Sequence, residues 1–298
     1  MNTALLYRLI TVPVSVIAGF SNHRHRTLSR CQPRKGSQSH GGSAANAVST
    51  GLAGALLILL ATNVGQAQGT ADQSYTVPRT SYDHPDLQGI WQALNTAVWN
   101  IQDHSAELRV PAGQSVVVGN EIPYRPSALA QREENYRNRA TSDPEANCKM
   151  VGVPRITYMP YPFQIVQTPT QITILYEYVH TVRNIYLDSE HVEDPAEALW
   201  MGDSRGHWEG DTLVVDVVNF TDQTWFDRSG NFHSDALHVV ERYARTGPDH
   251  ILYEVTIEDP EVFTETWQMR IPLYRRQEEN ARLLEYDCYA YLEYSRGE

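Results

Sequence analysis

The sequence predicts an all-β, mainly antiparallel fold, closed into a barrel or meander, with one surface helix. Between residues 155 and 289, short apolar runs alternate with turn residues such as Pro169, Gly210 and Pro260. The clearest hairpin is 206–214, where two runs meet at Gly210. Regularly spaced hairpins of this kind favour a closed barrel or a sandwich, which protect strand edges. Strands do not alternate with long helices, so Rossmann and TIM architectures are excluded.

The turn residues divide the chain into a series of short predicted strands. They are 155–159, 162–168, 171–179, 181–187, 206–209, 212–220, 236–245, 250–258, 262–271 and 281–289, with two more before them at 87–91 and 116–118.

One segment has helical rather than strand signals. Ser127 is a typical N-cap for a helix over 128–139, and the Asp143-Pro144 pair ends it. Most of its face is charged, so we expect it to lie on the surface and to pack through Leu129 and Tyr136.

The first 67 residues have the features of a targeting region. Residues 52–62 form an uncharged apolar run, and Gly65 and Ala67 precede Gln68 at signal-peptidase spacing. The run is too short for a comfortable membrane span, although a membrane anchor is the alternative. We therefore expect a signal region at 1–67, a flexible lead-in at 68–83 and a single β-rich domain at 84–298 in a periplasmic or secreted protein.

The charge of the exported part excludes several partner classes. All 36 acidic residues but only 18 of the 24 basic residues follow position 67, which leaves a net charge of −18. Such a chain repels phosphate backbones and anionic lipid, so we expect neither nucleic-acid binding nor stable membrane insertion. A small molecule is the expected partner, and the oligomeric state is not predicted.

Two cysteines, Cys148 and Cys288, remain after position 67. In an oxidising compartment an even pair predicts one disulfide, with two buried free thiols as the alternative. Neither cysteine lies in a C-x-x-C motif, so redox catalysis is not expected.

Several segments carry a resemblance to known proteins. They are 84–91 (HPDLQGIW), Cys148 with 152–155 (GVPR), 200–204 (WMGDS), 208–216 (WEGDTLVVD) and 233–242 (HSDALHVVER). Gly89 and Trp91 resemble the Gly-x-Trp that opens lipocalin-like barrels, where the tryptophan closes the barrel floor. The whole set resembles a family of exported bacterial proteins that has no settled activity. The resemblance implies an exported lipocalin- or calycin-like barrel and no particular reaction.

Acidic and histidine side chains interrupt otherwise apolar strands. Zinc-protease, α/β-hydrolase, P-loop and dinucleotide-binding motifs are missing from the sequence, so we expect no cofactor. Asp216 stands among valines, where a carboxylate is costly unless it is paired. We predict that Asp216 lines the barrel and shares a proton with His238 or Glu241 as the catalytic group, although a structural ion pair is the alternative.

A second set of side chains is predicted to bind the substrate because ionisable or aromatic residues lie on or near apolar strands. It comprises Glu177, Arg183, Tyr178, Trp208, Trp225 and His233. Core packing is an equally good explanation for the aromatic members.

No metal site is predicted. Asp203, Asp211 and Asp227 can supply oxygen ligands for calcium, but their spacing matches no EF-hand, so a solvated acidic loop is the preferred interpretation.

Two functions remain open at this stage. The first is an enzyme that performs cofactor-free acid–base chemistry of lyase, hydratase, isomerase or hydrolase type. Its substrate would be a small, largely apolar, aromatic or glycan-like molecule. The alternative is a non-catalytic, lipocalin-like binder of a hydrophobic or glycan ligand. Titratable groups that converge inside the barrel favour the first, and an apolar lumen favours the second.

Overall fold

A computed structural model describes residues 75–192, 196–290 and 293. Nine strands close into one barrel in sequence order, so the predicted all-β meander is confirmed. The strands are β1 (Gly89–Ala93), β2 (Phe163–Gln167), β3 (Gln171–Tyr176), β4 (Val182–Leu187), β5 (Asp203–Glu209), β6 (Thr212–Val218), β7 (His238–Gly247), β8 (His250–Glu258) and β9 (Trp267–Arg275). The predicted signal region and residues 68–74 of the lead-in lie outside the described residues.

Neighbouring strands pair antiparallel except at one junction. β4 and β5 run parallel and pair only through Tyr186 with Arg205 and Leu187 with Gly206. A Cβ atom on Gly206 would lie 2.8 Å from the Ile185 side chain, so glycine permits this close approach. The connection between Leu187 and Asp203 is long enough for the crossover that a parallel pair requires.

The interior is mainly apolar, and buried residues alternate with more exposed ones along most strands. Trp91 is completely buried, its indole N–H donates to the Leu87 carbonyl at 2.9 Å, and the Arg275 guanidinium lies 4.4 Å from its ring centre. A buried aromatic side chain covered by a cation stabilises the start of the barrel.

The helix α1 (Pro126–Ser142) is longer than predicted and begins differently. Arg125 is the N-cap residue and Pro126 occupies the first turn, so the predicted Ser127 cap is wrong. The helix packs through Ala128 and Asn135, whereas Leu129 and Tyr136 are substantially exposed. Its close approach to the chain at 230 explains this orientation.

Gly230 makes that approach possible. It has a φ of +81°, and a Cβ atom there would lie 2.6 Å from the backbone nitrogen of Tyr136. The Asn135 amide donates to the Gly230 carbonyl at 3.4 Å, which ties the helix to the barrel.

Three predicted strands are wrong. Residues 155–159 form the 3₁₀ turn Arg155–Tyr158, because the buried Arg155 side chain bonds to carboxylates on the preceding turn. Residues 281–289 form no strand and end in a helical turn, and 116–118 contribute only an isolated bridge from Val117 to Met269. Further 3₁₀ turns are Val118–Asn120, Glu145–Asn147 and Tyr178–His180.

The predicted disulfide between Cys148 and Cys288 is confirmed. It closes a loop with a sequence separation of 140 and attaches the C-terminal segment to the barrel. A cross-link over a loop of this length contributes about 3–5 kcal/mol by loop-closure entropy. Within the described part of the chain, no helix is long and apolar enough to cross a membrane.

Candidate functional site

The structure separates the three predicted catalytic residues. Glu241 points into the barrel and is fully buried, as the apolar character of its strand face indicates. Asp216 and His238 point outward, so the prediction that Asp216 lines the barrel is wrong. The reason is that β6 has valines on both faces: Val215 and Val217 fill the core, and Val214 lies on the outer face with Asp216.

Inside the barrel, Glu241 forms an ion pair with Arg183, which was predicted to bind substrate. The Arg183 guanidinium also donates to the Ser204 hydroxyl at 3.0 Å, and the hydroxyls of Tyr243 and Tyr253 donate to Glu241 at 3.0 and 2.6 Å. Burial disfavours the charged form of Arg183, but the Glu241 charge outweighs it and raises the pKa of Arg183. These groups satisfy one another, so the barrel interior is built as a structural core rather than as a polar ligand site.

On the outside, a chain of hydrogen bonds crosses four strands and the 188–202 connection. His191 bridges Asp203 and Asp216 with N···O distances of 2.8 and 2.9 Å. His238 bridges Asp216 and Glu258 at 2.8 and 3.4 Å. Asp216 and His238 are therefore close enough to share a proton, as predicted, but on the outer surface of the barrel.

The electrostatics of this outer network favour the ionised pair. Burial raises the pKa of Asp216, but the hydrogen bonds from His238 and His191 lower it by more. Burial lowers the pKa of His238, but the hydrogen bond to Asp216 outweighs it and the pKa is raised. The hydrogen bond between the two side chains therefore favours a carboxylate on Asp216 and a proton on His238.

The other predicted binding residues lie at separate places. Tyr178 and His233 are buried: the Tyr178 hydroxyl donates to a backbone carbonyl, and His233 Nε2 lies 2.7 Å from the Thr224 hydroxyl. Burial lowers the pKa of His233. Glu177 accepts a backbone N–H from the C-terminal segment, Trp225 is buried, and Trp208 is only partly buried. They do not form one site.

The three aspartates considered for calcium also lie apart. Asp203 contacts His191, Asp211 pairs with Arg79 at 2.7 Å, and Asp227 accepts backbone and amide N–H donors inside the fold. In the described ranges, no group of three or more His, Cys, Asp or Glu side chains is arranged to hold a metal ion.

A cleft of about 780 Å³ that the sequence did not reveal lies beside α1, and we call it the α1 cleft. Its walls are the loop 99–110, α1, the turn at 143–146 and residues 228–229. Its volume is within the range of small-molecule sites. These segments are distant in sequence and share no periodic pattern, which is why sequence reasoning missed the site.

The floor of the α1 cleft is a network of paired charges. Arg155 donates to both oxygens of Asp143 at 2.8 and 3.0 Å and to Glu145 at 2.6 Å. Arg228 also binds Glu145, and its guanidinium lies 4.0 Å above the Trp99 ring. Burial raises the pKa of Glu145, but Arg228 and Arg155 outweigh it and the pKa is lowered. The floor is therefore rigid and electrically balanced.

Buried Asp227 fixes the loop that carries Trp99 to the chain beyond β6. Its carboxylate accepts the backbone N–H groups of Ile101 at 2.9 Å and Ser229 at 2.8 Å. Burial raises the pKa of Asp227. Asp227 thus fixes the segments that carry Trp99 and Arg228 relative to each other.

Comparison with known proteins adds little to this picture. No protein-family model and no curated protein matches the sequence. Among solved structures, the chain is similar to a point mutant of the fluorescent protein UnaG, with a TM-score of 0.30 and 12% identity over 64% of this chain and 97% of that chain. A likeness at this level carries no argument about function, so the function is argued from the residues themselves.

Proposed function

We propose that this protein is a non-catalytic binder of a small aromatic or glycan-like molecule, and that the ligand occupies the α1 cleft. The observation that carries the proposal is the cleft itself: about 780 Å³, with Trp99 and Tyr136 among its lining residues and a fixed polar floor. Flat rings of this kind stack on aromatic or sugar ligands. A few fixed polar groups in a concave aromatic site are typical of small-molecule recognition.

The contacts of the predicted catalytic residues support binding over acid–base catalysis. Glu241 is fully buried and already bonded to Arg183 and two tyrosine hydroxyls. Asp216 and His238 form a partly exposed ion pair on the outer surface, away from the residues of the cleft. In this proposal all three residues have structural roles.

We also infer that the protein acts in the periplasm or is secreted. The Cys148–Cys288 disulfide supports this location, because disulfides persist in oxidising compartments. The apolar run at 52–62, followed by Gly65 and Ala67, is the sequence feature that would direct export.

Ligand-detected NMR on the purified full-length chain tests the binding proposal. The library contains aromatic acids, their neutral amides, and mono- and disaccharides, and hits are titrated by calorimetry. Ala140 lines the cleft, so Ala140→Trp is expected to fill it and to reduce hit affinity at least about tenfold.

Ala130→Trp is the matched control, since Ala130 is exposed on the same helix but does not line the cleft. It is expected to leave the affinity unchanged. Hits that bind Ala140→Trp as tightly as the natural protein, or a library without any hit, would overturn the proposal.

A further inference from the structure

The arginines of the α1 cleft differ from one another in how their charges are balanced. Arg228 lines the floor and pairs with Glu145, and the fully buried Arg155, which does not line the cleft, pairs with Asp143 and Glu145. Because these groups neutralise one another, the floor offers a ligand little net charge.

Three wall arginines are not neutralised in this way. Arg109, Arg132 and Arg139 line the cleft, and none has a carboxylate within ion-pair distance among the described residues. Arg139 donates to the Tyr136 carbonyl at 2.6 Å, and Arg132 donates to the Asn231 side-chain oxygen at 2.9 Å. Both partners are uncharged, so they orient the guanidinium groups without cancelling their charge.

The acidic residues of the wall do not offset these charges. Glu107 is exposed on the rim, and Glu133 lies 3.7 Å from Arg137, an arginine of the same helix that does not line the cleft. One of the two carboxylates is thus shared with a cation outside the site. The walls keep a net positive character.

This local charge opposes that of the molecule. The chain after residue 67 carries −18, so its general field repels anions. Unneutralised arginines gathered at one aromatic cleft supply a local attraction for an anion.

Geometry adds a preference for a planar ligand. The Arg139 guanidinium lies 4.0 Å from the Tyr136 ring centre, and Arg228 stacks on Trp99 at the same distance. The N–H edge of Arg228 is occupied by Glu145, whereas Arg139 uses only Nη1, on the Tyr136 carbonyl, and keeps its other N–H groups for a carboxylate, phosphate or sulfate.

We propose that the ligand of the α1 cleft is a ring compound with an acidic group, held by Arg109, Arg132 and Arg139 while its ring lies against the aromatic wall. This inference rests on the proposed binding function and specifies the class of ligand. Carboxylate, phosphate and sulfate share the required chemistry.

The test compares two probes of one shape, 2-naphthoate and 2-naphthamide, by calorimetry with the full-length chain. We expect the carboxylate to bind at least about tenfold more tightly than the amide, because charge-assisted hydrogen bonds are about twice as strong as neutral ones. The preference is expected to shrink as salt is raised from 0.05 to 0.5 M, since salt screens partly exposed charges.

Two arginine variants on α1 locate the effect. Arg139→Gln is expected to reduce naphthoate affinity about fivefold to tenfold and to leave naphthamide affinity unchanged. Arg137→Gln is the matched control, because Arg137 lies two residues away, forms an exposed ion pair with Glu133 and does not line the cleft. It is expected to bind both probes as the natural protein does.

Each other outcome has a distinct meaning. Equal affinities for the two probes, or an equal loss in both arginine variants, overturn the acidic-ligand inference and leave the binding function intact. Failure of both probes to bind overturns the acidic-ligand inference as well, whereas the binding function falls only if the whole library gives no hit.

Discussion

The barrel carries two polar networks, one on each side of its wall, and they differ in almost every physical respect. The inner network joins Arg183 to Glu241 with both groups essentially without solvent contact. The outer network joins Asp216 to His238 with 39% and 35% of each side chain exposed. Both arise from charged residues in apolar strands, and in the sequence they look alike.

Their energetics follow from burial. A buried charge that loses its partner retains its full desolvation cost, whereas an exposed one regains water. Charged residues inside strands are therefore not by themselves a signal of catalysis in this protein. In both networks they bond to one another and hold strands together.

The largest expected effect comes from breaking the inner pair. Glu241→Gln keeps the acceptor oxygen for Tyr243 and Tyr253 but leaves the Arg183 charge unpaired. We expect it to lower the free energy of unfolding by about 3–5 kcal/mol, measured by urea denaturation.

Glu254→Gln is the control for that change. Glu254 lies on the outer face of β8, where it pairs with Arg270 at 2.7 Å with 32% of its side chain exposed. We expect a loss of about 1 kcal/mol or less. Equal losses at the two positions would show that the inner pair is not desolvated as described.

A smaller effect is expected from the outer network. Asp216→Asn removes the charge that both His191 and His238 face, at a site that water reaches. We expect a loss of about 0.5–1 kcal/mol in 0.05 M salt and a smaller loss in 0.5 M salt. Asp235→Asn, at an exposed residue without an ion pair in the described chain, should cost close to nothing. A loss of stability of several kcal/mol that does not depend on salt would show that Asp216 behaves like the buried pair of the inner network.

The smallest effect concerns pH. The pKa of folded His238 is raised above its ordinary value of 6.5 by Asp216 and Glu258. Folding therefore favours its protonated form, and the stabilisation is fully present below about pH 6.5 and is lost as the pH rises through the folded value. We expect the free energy of unfolding of the natural protein to exceed that of His238→Gln by about 0.3 kcal/mol at pH 5.5, after allowance for screening. The difference should disappear by pH 9.

The inner pair gives the contrast for this measurement. The already high pKa of Arg183 is raised further, so Arg183 keeps its proton across this range. Urea midpoints at pH 5.5 and 9 should thus separate the networks. If the stability of the natural protein relative to His238→Gln increased toward pH 9, this would contradict the raised pKa of His238.

Local features of the sequence predict most of this fold. The Gly210 turn specifies the β5–β6 hairpin. The alternation of apolar residues along β7 places the Glu241 side chain inside the barrel. The strand predicted at 155–159 is wrong. Ile156 and Tyr158 favour a strand, but the bonds from Arg155 to Asp143 and Glu145 hold the segment as a 3₁₀ turn. Those contacts are tertiary and leave no local pattern.

The sites are less predictable than the strands. The direction of Asp216 is not encoded locally, because valines occupy both faces of β6. The α1 cleft is assembled from four separate segments, and its key property is that three of its arginines lack acidic partners within the described part of the chain. A missing partner is visible only when the distances between segments are known.

The shortest strand pairing in the barrel is the parallel one between β4 and β5. β7 and β8 pair along most of their length, whereas β4 and β5 pair only at Tyr186 with Arg205 and at Leu187 with Gly206. We expect local opening to begin at this junction, so the Asp188 amide hydrogen, which bonds to the Gly206 carbonyl across it at 2.9 Å, should exchange with deuterium well before the amides of β7. Arg205 on β5 bonds to Ser189, just after β4, at 3.1 Å, and it also pairs with Asp203 of the outer network. We therefore expect the outer network to slow the opening of the β4–β5 junction.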